Sequence, residues 1–100
     1  MRGRDLAAAL RSGKRVYGTC VTSPAPSWPE MIARAGVDFV FIDTEHVTLD
    51  RERLSWMCRS FVALGIPPIV RIPEPNPYLA CMAIDGGALG IVAPYLETVD

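Results

Sequence analysis

Apolar residues recur along this chain in two alternating rhythms, one helical and one of strand type. Leu6, Ala9 and Leu10 share a face over residues 5–12, and Gly13 supplies the stop, so a helix is expected there. Residues 15–21 are rich in β-branched and aromatic side chains and predict a strand. Pro24 and Pro26 then deny the chain ladder donors and demand a loop. Ser27 followed by Glu30 has the capping-box spacing, with Pro29 in the first turn, and Gly36 closes the helix they open. Phe39, Val40, Phe41 and Ile42 form an uninterrupted apolar run, the pattern of a strand covered on both faces. Asp50 can cap the next helix, in which Leu54, Met57, Cys58, Phe61 and Val62 line one side as far as about Leu64. A short strand over residues 69–72, a helix capped by Asn76 with Pro77 in first place, and a strand over residues 89–93 complete the alternation. Residues 97–100 resemble the start of another helix.

One helix followed by β-α-β-α-β-α-β implies parallel strands joined by helical crossovers, hence an α/β fold. Two architectures share that pattern: the first half of a (β/α)8 barrel, whose full form takes about 250 residues, and a small doubly wound sheet. Periodicity does not separate them. The last residues carry no stop signal, so residues 1–100 are expected to be a single partial domain truncated at its C-terminal end.

Composition narrows the function classes. Half of the residues are hydrophobic, 21% are charged and the net charge is −1, which suits a globular protein. No basic footprint points to nucleic acid or to an anionic membrane surface. No apolar run approaches a membrane span. The charged start lacks the pattern of a signal peptide, so a cytoplasmic location is expected. Cys20, Cys58 and Cys81 are too scattered for a zinc site or a disulfide framework and read as core thiols. The helix faces bearing Met31, Met57 and Met82 read as core, and Trp28 as a staple or a lip of a site.

In both architectures chemistry gathers beyond the carboxyl ends of the strands. Asp43 ends the second predicted strand, which runs on into Glu45 and His46, and Arg71 ends the third, so two acids, the single histidine and an arginine converge on one edge. His46 would serve as general base with Asp43 orienting its imidazole. A structural alternative has Asp43 and Glu45 capping the loop or pairing with Arg51 and Arg53. A carboxylate–histidine metal site is a third option, though three ligands from one short loop make awkward geometry. Arg71 inside an apolar strand needs a partner, either Asp43 or Glu45, or a substrate carboxylate or oxyanion. Gly86-Gly87 lacks the spacing of a phosphate-binding loop and reads as a helix stop. A receiver-like signalling domain would need further acids after the first strand, where Thr19-Cys20-Val21-Thr22 offers none.

These segments resemble a known family. Tyr17-Gly18-Thr19, Ser23-Pro24, the run from Ala35 to His46 ending Ile42-Asp43-Thr44-Glu45-His46, Pro68-Ile69-Val70-Arg71-Ile72-Pro73, and Asp85-Gly86-Gly87 through Pro94-Tyr95 together resemble the HpcH/HpaI aldolase/citrate lyase family. The resemblance implies a (β/α)8 TIM barrel of the phosphoenolpyruvate/pyruvate superfamily, of which this chain would carry about four βα units. It implies a metal-dependent, class II aldolase that cleaves 4-hydroxy-2-oxo acids to pyruvate and an aldehyde with a divalent cation (Mg2+, Mn2+ or Co2+). His46 would be the base, Asp43 its partner and Arg71 the residue that holds pyruvate and its enolate oxygen. Glu45 would be supporting, and Gly87 and Ala88 would lie near the pyruvate end. The family's metal-binding Glu and Asp belong to later strands, so no metal ligand is expected within these residues. The isolated chain is then expected to be inactive, and to fold poorly or only by association. Full-length members are usually homo-oligomers. A citrate-lyase-like or acyl-CoA ester lyase of the same superfamily, or an inactive remnant, are the alternatives.

Overall fold

The computed structural model describes residues 1–99. Eight elements follow one another in the expected order: α1 (Gly3–Arg11), β1 (Gly18–Val21), α2 (Trp28–Ala35), β2 (Phe39–Asp43), α3 (Arg51–Ala63), β3 (Pro68–Arg71), α4 (Pro77–Asp85) and β4 (Gly90–Val92). Residues 97–99 are not helical, and Asp100 lies outside the described residues.

The helix caps separate sequence signals that work from one that does not. Asp50 takes an extended backbone and accepts the N–H of Arg53 at 2.8 Å, and Asn76 accepts that of Tyr78 at 2.8 Å. Ser27 does not form the expected capping box. Its backbone is already helical (φ −76°, ψ −20°), because the N–H of Trp28 bonds the carbonyl of Ala25 and the proline-bound loop turns early. Glu30 instead reaches forward to Arg34 at 2.7 Å. The first strand also begins later than its composition predicts. Tyr17 is held by the loop residue Asp38, whose carboxylate accepts its N–H at 2.9 Å and whose own N–H donates to the Tyr17 carbonyl at 2.7 Å.

All strand pairs are parallel, and the sheet order is β1-β2-β3-β4. This sequential order decides between the two candidate architectures. A doubly wound sheet starts in its middle and reverses direction, whereas a barrel adds each strand beside the last.

Register neighbours in a parallel sheet share a face. One face carries Val21, Val40, Ile42 and Val70, all buried, and it packs against Ile32 of α2, Leu54, Met57, Cys58 and Phe61 of α3, and Ala83 of α4. The other face carries Cys20, Phe41 and Ile69 in one layer and Asp43, Arg71 and Val92 in the next toward the carboxyl ends. Here the expectation for residues 39–42 fails in part: Phe39 and Phe41 are only half-buried, because the described helices α2–α4 cover one side of the sheet. Phe39 also explains why Gly18 is glycine: a Cβ there would lie 2.3 Å from its ring.

Helix α1 does not join the main core. Gly3 lies against Leu89, Met1 donates its amino group to the Gly65 carbonyl at 2.7 Å, and a cavity of about 280 Å3 lies between Leu6, Leu10, Ile69 and Val92. The helix thus sits by the amino ends of β3 and β4. Two further expectations change. Cys20 and Cys81 are exposed and only Cys58 is a core thiol, since β1 turns Cys20 to the open face. Met57 is core, whereas Met31 is 55% exposed on the outer side of α2. No described helix is long and apolar enough to cross a membrane.

Candidate active site

Asp43 is the last residue of β2 and Arg71 the last of β3, and the register places them side by side on the open face. Their side chains lock as a fork: Arg71 Nε donates to Asp43 Oδ1 at 3.1 Å and Nη2 to Oδ2 at 2.8 Å. Asp43 is buried, and its Oδ1 also accepts the backbone N–H of Glu45 at 2.8 Å and of His46 at 3.3 Å. The arginine bond outweighs burial, and with the two backbone donors it lowers the Asp43 carboxyl from 3.8 to about 2. The same hydrogen bond, opposed by desolvation and aided by the charges of Asp43 and Glu45, holds the Arg71 guanidinium more firmly protonated than usual.

Two residues support this pair. Thr44 fastens the loop to β3: its N–H and its hydroxyl donate to the Arg71 carbonyl at 3.1 and 2.6 Å. Phe41, two residues before Asp43 and therefore on the same face, lies under the guanidinium at 5.4 Å from ring centroid to Cζ. The singling out of charged residues missed both, although the two-residue strand period carries the signal for Phe41.

Asp43 reaches His46 only through the backbone. The imidazole turns elsewhere: Nε2 lies 2.6 Å from Glu45 Oε1. The expected pairing of Asp43 with the ring is therefore not the one the structure has, because both Asp43 oxygens face Arg71 and the loop amides. Asp43 does cap the loop and does pair with an arginine, but that arginine is Arg71; Arg53 pairs with Asp50. His46 is 67% exposed and Glu45 only 10%, and Glu45 Oε2 is buried without a hydrogen-bond partner.

Gly87 and Ala88 are not part of this cluster. They precede β4, next to Leu89, whose N–H bonds the carbonyl of Pro68 at the first position of β3. This is the amino edge of the sheet, opposite Asp43 and Arg71. Ala88 is buried core, and Gly87 (φ +114°) fits against Cys58 and Arg59 where a Cβ would come within 3.3 Å. Their assignment to substrate is corrected on these grounds. Trp28 is 41% exposed beside Thr22 and Ser23, on the β1 side of the carboxyl edge.

No group of three or more histidine, cysteine, aspartate or glutamate side chains among the described residues could hold a metal ion. Asp43 is held by arginine on both oxygens, which leaves one unpartnered buried oxygen, Glu45 Oε2. The described residues alone do not fit a resident divalent cation. What they do provide is a half-exposed fixed cation, a histidine next to it, and a rigid carboxylate bracing both.

No family model matches the chain. A 2-dehydro-3,6-dideoxy-6-sulfogluconate aldolase of Pseudomonas putida is 30% identical over 91% of this chain and 36% of its own length. The crystal structure of an HpcH/HpaI aldolase/citrate lyase family protein from Burkholderia cenocepacia J2315 superimposes with a TM-score of 0.83 at 33% identity, over 94% of this chain and 38% of that one. The crystal structure of citrate synthase SbnG superimposes with a TM-score of 0.82 at 39% identity, over 92% and 38%. The chain thus spans little more than a third of the length of these relatives, and its sequential parallel sheet is a part of their barrel. Agreement over more than nine-tenths of its residues, in sequence and in fold, means that the chain belongs to the HpcH/HpaI aldolase/citrate lyase family.

Proposed function

We propose that this chain carries the base and the anion-binding arginine of an aldolase that cleaves a 4-hydroxy-2-oxo acid into pyruvate and an aldehyde. The observation that carries this reading is the Asp43–Arg71 fork at the carboxyl edge of the sheet with His46 directly after it. Nε and Nη2 of Arg71 face Asp43, so Nη1 remains to hold the carboxylate or the 2-oxo oxygen of a substrate. His46 takes the proton of the C4 hydroxyl. The C3–C4 bond then breaks, its electrons pass to C3, and C4 leaves as the aldehyde carbonyl. The negative charge that moves onto the 2-oxo oxygen meets a guanidinium already aimed at it, so little reorganisation is needed. Protonation at C3 gives pyruvate. A divalent cation, which the family resemblance implies, would add Lewis-acid stabilisation when bound, with its principal ligands outside the described residues.

The test is pyruvate release from 4-hydroxy-2-oxo acids by the enzyme that contains this segment. His46→Ala is expected to lower kcat by about 10²–10⁴-fold, the usual span of general-base catalysis. Arg71→Lys keeps the charge but loses the fork, so both kcat and substrate affinity are expected to fall. Unchanged pyruvate release in both variants would discard the assignment. The 39% identity to a citrate synthase supports a second reading, carbon–carbon bond formation or acyl-CoA ester cleavage at the same edge. Turnover of an acyl-CoA ester without turnover of hydroxy-oxo acids would favour it.

A further inference from the structure

We infer that Phe41 is a positioning residue for Arg71: its ring closes one face of the guanidinium and holds the cation at a fixed tilt, with Nη1 left for an anion. What that anion is, the oxo-acid end of a substrate, rests on the aldolase reading. Strand period and register place the two side chains together. Phe41 and Asp43 stand two apart on β2 and share a face, and Phe41 pairs with Ile69 where Asp43 pairs with Arg71. Arg71 is therefore the diagonal neighbour of Phe41, a spacing that aromatic and long side chains span. Its Cζ lies over the ring, 5.4 Å from the centroid, inside the range of about 6 Å over which a ring attracts a cation.

The Asp43 fork alone leaves one motion open. Two parallel N–H···O bonds fix one edge of the guanidinium against the carboxylate. Hydrogen-bond strength falls slowly with tilt out of the carboxylate plane, so the group can rock about that edge. The Phe41 ring blocks the rocking on one side. It also attracts the cation through its quadrupole, which an aliphatic side chain lacks. Water is kept from the same face: Phe41 is half-buried, with Cys20 and Ile69 as its register neighbours in the layer below Asp43 and Arg71. The Arg71 side chain nevertheless keeps 28% of its exposure, so the cation is braced and still reachable. Such a cation loses little freedom when an anion arrives, and it is already aimed where charge develops on the 2-oxo oxygen. Were Phe41 only apolar filling, leucine would serve as well.

The test compares variants that keep the ring with variants that keep only apolar bulk. Phe41→Tyr keeps the ring. Phe41→Leu and Phe41→Ile do not, and isoleucine suits a strand, so one aliphatic variant that unfolds cooperatively is enough. The first readout needs no turnover: exchange with water of the Arg71 Nε–H, seen in nitrogen-15 spectra and assigned by its loss in Arg71→Lys. In the unaltered protein this proton is bonded to Asp43 Oδ1 and is expected to exchange slowly. The aliphatic variants are expected to exchange about 3- to 10-fold faster, and Phe41→Tyr to stay within about 2-fold of the unaltered rate. The second readout is pyruvate release by the enzyme that contains this segment. There kcat/KM is expected to fall about 3- to 10-fold in the aliphatic variants, mostly through kcat, and to be retained in Phe41→Tyr. Aliphatic variants that exchange and turn over like the unaltered protein, or a tyrosine variant as impaired as they are, overturn the inference. If pyruvate release proves independent of Arg71, the aldolase reading falls and the exchange contrast still stands. If release depends on Arg71 and the ring makes no difference, this inference alone falls.

Discussion

Asp43 ties two strands and a loop to one carboxylate, through the Arg71 fork and the amides of Glu45 and His46. Each of these bonds favours the charged form, so the group is depressed from 3.8 to about 2 in the folded chain. The sign follows from linkage: a depressed acid contributes stability above its unfolded value, and that contribution is lost as pH falls toward the folded one. Asp43→Asn is expected to cost about 1–3 kcal/mol at neutral pH, toward the lower end because Arg71 is partly open to water. Denaturant titrations of both proteins should differ at pH 7 and converge as pH approaches 2. A gap that persists at the acid end would show that the charge is not what matters. The sequence already marked Asp43, Glu45, His46 and Arg71 as one group. The choice of partner for the imidazole was hidden, because Asp43 and Glu45 are both within reach of His46 along the chain and only the register with β3 commits Asp43 to arginine.

At the scale of elements, caps were legible to the extent that the preceding backbone is free to extend. Asp50 is preceded by an open loop and caps α3. Its replacement by alanine should cost about 0.5–2 kcal/mol. Ser27 stands in a turn set by its neighbouring prolines and caps nothing with its side chain, so Ser27→Ala should stay within about 0.5 kcal/mol. Thermal unfolding of the two variants side by side checks the contrast. An equal loss in both would mean that the geometry at Ser27 is misjudged. The same limit applied to β1: β-branched residues predict a strand from residue 15, but the Tyr17–Asp38 bonds take the backbone groups that a longer ladder would need.

For the whole molecule, the sheet has one helix-covered face and one face on which the described residues pack little. Thiol labelling reads this asymmetry directly. Cys20 and Cys81 should react quickly. Cys58 should react only on unfolding, since it is buried and its thiol is pushed from 9.0 to about 11, leaving about 100-fold less thiolate. Within a longer chain or an assembly that covers the open face, Cys20 should become protected while Cys81, on the outer helix α4, stays reactive. Equal protection of both would mean that the covered surface is a different one.

The residues by themselves determined the order of elements, the edge where chemistry gathers and the four charged or titratable side chains found there. Each of these follows from local pattern: helical and strand periods, caps and stops, and the rule that functional groups follow parallel strands. Only the tertiary structure decided which strands adjoin, and hence that the sheet runs sequentially and does not reverse. It alone moved Gly87 and Ala88 to the opposite edge, turned Cys20 outward and gave His46 to Glu45. Those outcomes depend on register between segments more than twenty residues apart, such as Asp43 opposite Arg71. A local pattern has no term for such pairings, because the backbone bonds that set them join residues distant in the chain.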